Sequence, residues 1–203
     1  MNIKDNENWT SDKVSWWCET VKGNLWEKIP YRLDIFSDFD LEKAQEYFKN
    51  NIQAILLDID DCVAPAYEEI LEKNYEKIKE LRSKNIQIEI VSNWINIQER
   101  CKKILELWVT ISKNNFSKPS VKSYLESCEN IQIKPEYTIM IWDDISKDGW
   151  SLQTDDHGNN ILLWYIPVKP IWNSYQNIPW FWKKINYFFK KISRTIANSR
   201  NGL

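Results

Sequence analysis

Glycine is scarce in this chain. There are 4 glycines in 203 residues, where ordinary usage of about 7% would supply roughly 14. Backbone positions that need positive φ or a close approach must therefore fall to other residue types. Histidine is nearly absent: His157 stands alone in a polar stretch, which excludes Ser-His-Asp and Cys-His catalysis. The cysteines Cys18, Cys62, Cys101 and Cys128 lie far apart without a C-x-x-C pair, so a clustered zinc site is excluded and reduced thiols are expected. No apolar run approaches the roughly 18 residues of a spanning helix, and the first 20 residues lack the apolar core of a signal peptide. The expected location is the cytoplasm, with peripheral attachment to the inner face of the membrane as an option.

What is present fits a globular protein: 43% of residues are hydrophobic and 28% charged, enough for one good core. The net charge of −2 is uneven, since residues 178–203 hold six cations and no acid. An acidic body thus carries a basic appendage. Three parts are expected: a polar N-terminal segment at 1–30, a domain at 31–177 and a basic amphipathic helix at 178–203.

Within the domain, apolar runs predict strands at 52–58, 86–91, 109–112, 137–142 and 161–166. Helical spacing predicts helices at about 67–84, 95–107, 119–128 and 146–153, and a short one over 40–50 with Asp40 as its N-cap. Strands alternating with helices of this length give β-α-β units, hence an α/β fold with a central parallel sheet covered on both faces. Asp58, Ser92 and Asp143 each fall at or just past the carboxyl end of a strand, where open α/β sheets bind ligands. Lys118 lies just before a helix start.

The segment Asp58-Ile59-Asp60-Asp61 directly follows the buried run Ile52 to Leu57. Two carboxylates one residue apart suit phosphoryl transfer, in which one attacks phosphorus and the other manages the leaving-group proton. A phosphate ester repels a carboxylate, so charge must first be neutralised. Mg²⁺ held by oxygen ligands does this, with Asp58 and Asp143 as carboxylate ligands and the Asp60 main-chain carbonyl as a third. Ser92 can hydrogen-bond a phosphoryl oxygen, and Lys118 can add positive charge opposite the metal. Taken singly, each residue is an ordinary strand-end or helix-capping side chain. Together, in this order, they point to a phosphate-handling site.

These segments resemble the four motifs of the haloacid dehalogenase (HAD) superfamily. Motif one is Asp58-Ile59-Asp60-Asp61-Cys62, motif two Ser92 in SNW, motif three Lys118 in KPS, and motif four Asp143-Asp144-x-x-x-Asp148. The likeness is greatest to the YqeG-like IIIA phosphatases, which include phosphatidylglycerophosphate phosphatases. Here DIDDCVA, SNW, KPS, WDDISKD, ILLWYIP and a basic terminal helix stand in for that group's pattern over about residues 30–196. The resemblance implies a three-layer Rossmann-like fold and Mg²⁺-dependent hydrolysis of a phosphomonoester, with Asp58 as nucleophile and Asp60 as acid and base. It also places Ser92 and Lys118 on the phosphate, Asp58, Asp60 and Asp143 on the metal, and Asp144 and Asp148 in support. Gaps of only about thirty residues flank Ser92 on either side, so no cap domain fits and the site is open to a large or membrane-held substrate. Cys62 replaces the usual Thr. Two other classes stay open: a catalytically silent scaffold that binds lipid or a partner protein, and a phosphatase of soluble metabolites or nucleotides.

In the tail, Ile178, Phe181, Trp182, Ile185, Phe188, Phe189, Ile192 and Ile196 share one helical face. Lys183, Lys184, Lys190, Lys191 and Arg194 lie largely on the other. Two readings fit: an interfacial helix drawn to anionic lipid, or a helix whose apolar face packs on the domain and whose basic face is solvated. Nucleic acid is not expected, because the body is acidic and lacks a recognition module. Finally, tryptophan is abundant, with 12 residues. Trp108 and Trp142 stand where a helix C-cap and a phosphate-approaching loop call for glycine, so UGA codons that specify glycine in the source organism are one explanation and a Trp-rich, divergent protein the other.

Overall fold

A computed structural model describes residues 31–92, 97–112, 121–144, 164–172 and 181–200. Five parallel strands, β1 (Ala54–Leu57), β2 (Gln87–Ile90), β3 (Thr110–Ile111), β4 (Thr138–Trp142) and β5 (Trp164–Pro167), form one sheet in the order β3-β2-β1-β4-β5. The α/β class and the parallel sheet follow the sequence reading. β1 and β4 are buried along their whole length, as expected of strands covered on both faces. Between Cys62 and Ser92 the chain forms only turns, one helix and β2, which leaves no room for a cap.

The helices begin and end for local reasons. Helix α1 (Leu41–Phe48) starts where the Asp40 side chain accepts from the Lys43 N–H, the predicted cap, and buries Leu41, Ala44 and Phe48. Helix α2 (Glu72–Ser83) starts later than predicted. Asp61 and Tyr67 have φ of 64° and 69°, a left-handed conformation that no α-helix continues, so residues 61–70 make turns instead. Helices α3 (Ile97–Leu105) and α4 (Val121–Asn130) lie close to expectation, and α5 (Phe181–Arg200) closes the chain. The helix expected at 146–153 and the N-terminal segment lie outside the described residues.

The strand order explains where ligands go. The chain runs from β1 outward to β2 and β3, then crosses to the other side of β1 for β4 and β5. The direction of winding therefore reverses between β1 and β4, and a crevice opens at their carboxyl ends. Leu57 pairs with Ile141, so the register sets Asp58 level with Trp142 and places Asp143 one residue beyond.

One buried acid lies away from this crevice. Glu89, in β2, accepts from Thr110 Oγ1 at 3.0 Å and from Asn130 Nδ2 at 3.4 Å. Burial pushes its carboxyl above the ordinary value of 4.5, against the pull of those hydrogen bonds. The folded chain therefore keeps this proton to higher pH than the unfolded chain. The associated stability is present below about pH 4.5 and is lost as pH rises through the folded-state pKa. Glu89→Gln keeps the shape without the charge, and the surrounding hydroxyls can accept from its amide. It should raise stability at pH 7 by about 1–3 kcal/mol, with the gain shrinking toward pH 4; urea denaturation at both pH values checks this.

Candidate active site

The site is built at the crevice from the loops after β1 and β4. Asp58 follows β1, is 7% exposed, and its N–H bonds the Ile141 carbonyl at 3.0 Å. The next turn is tight: the N–H groups of Cys62, Val63 and Ala64 all converge on the Ile59 carbonyl. Cys62 is fully buried, with its Sγ 3.8 Å from the Ile141 carbonyl, so it acts as a small packed side chain between the two strands. Burial likewise pushes the thiols of Cys101 and Cys128 up to about 12, which leaves both inert at neutral pH.

Asp60 points toward α3. Its Oδ1 accepts from Arg100 Nη1 at 2.5 Å, while the other guanidinium nitrogens bond the carbonyls of Pro65 and Glu68. One side chain thus ties Asp60 to the far end of its own loop. Arg100 was not evident from sequence, because a cation in an amphipathic helix reads as a solvated residue. Arg100→Ala should leave Asp60 free to rotate and lower kcat by about 10²-fold, the usual effect of misplacing a reacting group. Steady-state kinetics with a folded-state check by circular dichroism would test this.

Asp143 and Asp144 follow β4 and are 1% and 2% exposed. Asp61 is fully buried, and its Oδ1 accepts from the Ala66 N–H at 3.0 Å. These three acids meet two cations from α5. Arg194 Nη1 lies 2.9 Å from Asp61 Oδ2 and also contacts Asp143 Oδ2, Arg194 Nη2 lies 3.0 Å from Asp144 Oδ2, and Lys190 Nζ is 3.3 Å from Asp61 Oδ2. Burial raises the Asp143 carboxyl well above the usual carboxylate range. Arg194 opposes this, and the neighbouring charges of Asp58, Asp61 and Asp144 reinforce it. Asp58 and Asp143 leave neighbouring strands at the same edge of the sheet. Arg194 is held charged by the same acids despite its burial.

Of the two readings of the tail, this geometry overturns the one in which the apolar face packs on the domain and the basic face is solvated. α5 docks through Tyr187, Lys190, Arg194 and Ala197, not through its apolar face. Phe181, Phe188, Phe189, Ile192 and Ile196 are 42–71% exposed. The acids at the sheet edge draw the cationic side inward, since unpaired buried carboxylates would cost more than solvated phenyl rings. Sequence periodicity shows that the helix has two faces but not which of them finds a partner.

The donor set suits a hard divalent cation. Asp58, Asp61, Asp143 and Asp144 offer carboxylate oxygens, the donor type that a hard cation such as Mg²⁺ takes, and Arg194 and Lys190 contact three of them. Among the described residues, no group of three His, Cys, Asp or Glu side chains has metal-binding geometry. Ser92 lies two residues past β2, on the same edge of the sheet. Lys118 and Asp148 lie outside the described residues. Beside Asp143 a cleft of about 690 Å³ opens between Leu33, Val168 and Trp172 on one side and Thr195 and Ser199 of α5 on the other.

The chain is similar in structure to an HAD family hydrolase from Streptomyces avermitilis, at 17% identity and a TM-score of 0.39, covering 47% of this chain and 59% of that one. It is also similar to the cobalt-bound deoxy-D-mannose-octulosonate 8-phosphate phosphatase of Haemophilus influenzae, at 14% identity, TM-score 0.44, and 75% and 87% coverage. The corresponding Yersinia pestis phosphatase gives 10% identity, TM-score 0.46, and 77% and 85% coverage. The chain thus spans 59% of the Streptomyces protein's length. No curated protein matches the chain. The family model for mitochondrial PGP phosphatase matches residues 27–148, more than half of the sequence, a stretch that includes Asp58, Ser92, Lys118, Asp143 and Asp148. The chain belongs to this PGP phosphatase family.

Proposed function

We propose that the chain hydrolyses a phosphomonoester through a phosphorylated Asp58, with Mg²⁺ as cofactor and phosphatidylglycerophosphate as substrate. The observation that supports this reading is that Asp58 and Asp143 directly follow the neighbouring strands β1 and β4 at the reversal of strand order, beside acids that Arg194 and Lys190 of α5 contact. A carboxylate oxygen of Asp58 attacks phosphorus, and the bond to the leaving oxygen breaks. Asp60 gives that oxygen a proton. Arg100 holds Asp60 in place through Oδ1. Asp60 then takes a proton from water as the water attacks phosphorus and frees Asp58. Ser92 and Lys118 hold the phosphoryl oxygens, and Asp144 and Asp148 steady Asp143. Bound Mg²⁺ supplies charge neutralisation at the phosphoryl group, and Asp58, Asp143 and the Asp60 carbonyl would hold it.

The lipid substrate is supported by the exposed stripe Phe181, Phe188, Phe189, Ile192 and Ile196 on α5, which suits the surface of an anionic membrane. Among the described residues no helix is long and apolar enough to cross one. Placement at the inner, cytoplasmic face of the membrane is part of the same reading. Phosphate release from phosphatidylglycerophosphate in mixed micelles should be dependent on Mg²⁺, abolished by EDTA, and faster than release from an aryl phosphate. Equal or better turnover of the aryl ester would favour a soluble substrate. No turnover of either would favour the scaffold reading, for which the full burial of Trp142 beside Asp143 speaks. Flotation with anionic and neutral vesicles tests the membrane, and failure to bind either would remove it.

A further inference from the structure

We propose that Arg194 is a positioning residue of this site. From the last helix it clamps the loop after β1 to the loop after β4, and so holds Asp143 where it can bind the metal. The inference rests on the metal-dependent reading above. The guanidinium is 2% exposed and contacts three carboxylates on two loops: Asp61 through Nη1 at 2.9 Å, Asp143 through the same nitrogen, and Asp144 through Nη2 at 3.0 Å. Asp61 and Asp143 lie 133 and 51 residues from Arg194 in sequence, so one side chain of the last helix joins two loops that the chain itself does not bring to it; Lys190 and Tyr187 add further ties to Asp61. The planar fork matters: two nitrogens at a fixed angle reach both loops at once, which the single ammonium of lysine does not. Trp172 lies 5.3 Å from the guanidinium carbon and packs against it, restricting its rotation. Arg194 is in none of the four motifs, and its ties run to the metal-binding loop, not to open solvent.

An alternative role makes the opposite forecast. If Arg194 occupied the metal's own place, removing it would tighten metal binding; as a clamp, removing it must weaken binding. The test uses the full chain as Arg194→Gln and Arg194→Lys, with Mn²⁺ binding followed by electron paramagnetic resonance and Mg²⁺ titrations of kcat. Arg194→Gln should weaken Mn²⁺ binding about 10–100-fold and lower kcat, and millimolar guanidinium ion should restore part of the loss. Arg194→Lys keeps the charge and the docked helix, so it should fold but bind Mn²⁺ more weakly than the unaltered chain. If Arg194→Gln does not fold, that second variant carries the test. Unchanged or tighter Mn²⁺ binding in the folded variants overturns the clamp alone. Absence of Mn²⁺ binding to the unaltered chain overturns the metal-dependent reading and the clamp with it.

A separate set of observations concerns two tryptophans. Lys49, Asn85, Trp108 and Gln132 all follow helices with positive φ; the other three are polar, but Trp108, at φ 60°, leaves its indole 82% exposed. That backbone region favours glycine, and an indole in water gains nothing there. Trp142 is fully buried, and its Nε1 has no hydrogen-bond partner among the described residues. With 12 Trp and 4 Gly in the chain, we infer that positions 108 and 142 are UGA codons which the source organism reads as glycine. Sequencing the gene should show TGA at both, and the peptide masses of the native protein should fit glycine. TGG at either position overturns the inference there.

Discussion

Asp58→Asn should abolish phosphate release, lowering kcat on the order of 10⁴-fold or more, while leaving the protein folded. An amide keeps the shape of the side chain but has no anionic oxygen to attack phosphorus. The backbone tie of residue 58, its N–H on the Ile141 carbonyl, does not depend on the side chain. The substitution also removes one negative charge from a cluster in which Asp58 acts on Asp143 through space, and that should hold stability level or raise it. Activity lost with thermal midpoint kept or increased is therefore the expected pair. A fall in both would mean that Asp58 has a structural role, and full activity would place the nucleophile elsewhere. The aryl phosphate assay reads the first quantity and a thermal melt the second.

Much of the fold was legible because its signals are local. The apolar runs 52–58, 86–91 and 137–142 become adjacent strands, and Asp58, Ser92 and Asp143 at their ends inherit a common edge from the topology. The Asp40 cap is equally local. What could not be read depends on which distant groups meet. Arg100 reaches back 40 residues to Asp60, and Arg194 spans 133 residues to Asp61. Neither distance leaves a period or a spacing in the sequence. The start of α2 was missed for a different reason: apolar spacing from Tyr67 onward continues the helix pattern, while the left-handed φ at Tyr67 is imposed by the turn that returns the chain from the site. The orientation of α5 was decided by electrostatics. Burying a basic face against four acids overrides the general preference for burying phenyl rings, and that follows only once the acids are known to share a place.

That return turn is itself held by one side chain, and its removal should have the largest effect on stability. Asn74, fully buried at the start of α2, donates through Nδ2 to the Val63 carbonyl at 2.8 Å and accepts at Oδ1 from the Ser37 N–H at 3.0 Å. It thereby pins the loop that carries Asp58 and Asp60 against the turn at Phe36–Asp38. Asn74→Ala leaves the Ser37 N–H without this acceptor and opens a small cavity. Val63 keeps a long bond of 3.4 Å from the Leu71 N–H, so its loss is partial. A cost of about 2–4 kcal/mol is expected by urea denaturation, with a smaller loss of kcat than for Asp58→Asn because the reacting groups remain. Asn74→Asp discriminates between lost volume and lost hydrogen bonds. As a carboxylate it can still accept from Ser37 but opposes the Val63 carbonyl with negative charge; protonated, it can donate again. Its folded-state pKa should accordingly be raised, and its stability deficit relative to the unaltered chain should narrow as pH falls toward the ordinary carboxylate range. A deficit independent of pH would show that packing, and not the donated hydrogen bond, is what Asn74 supplies.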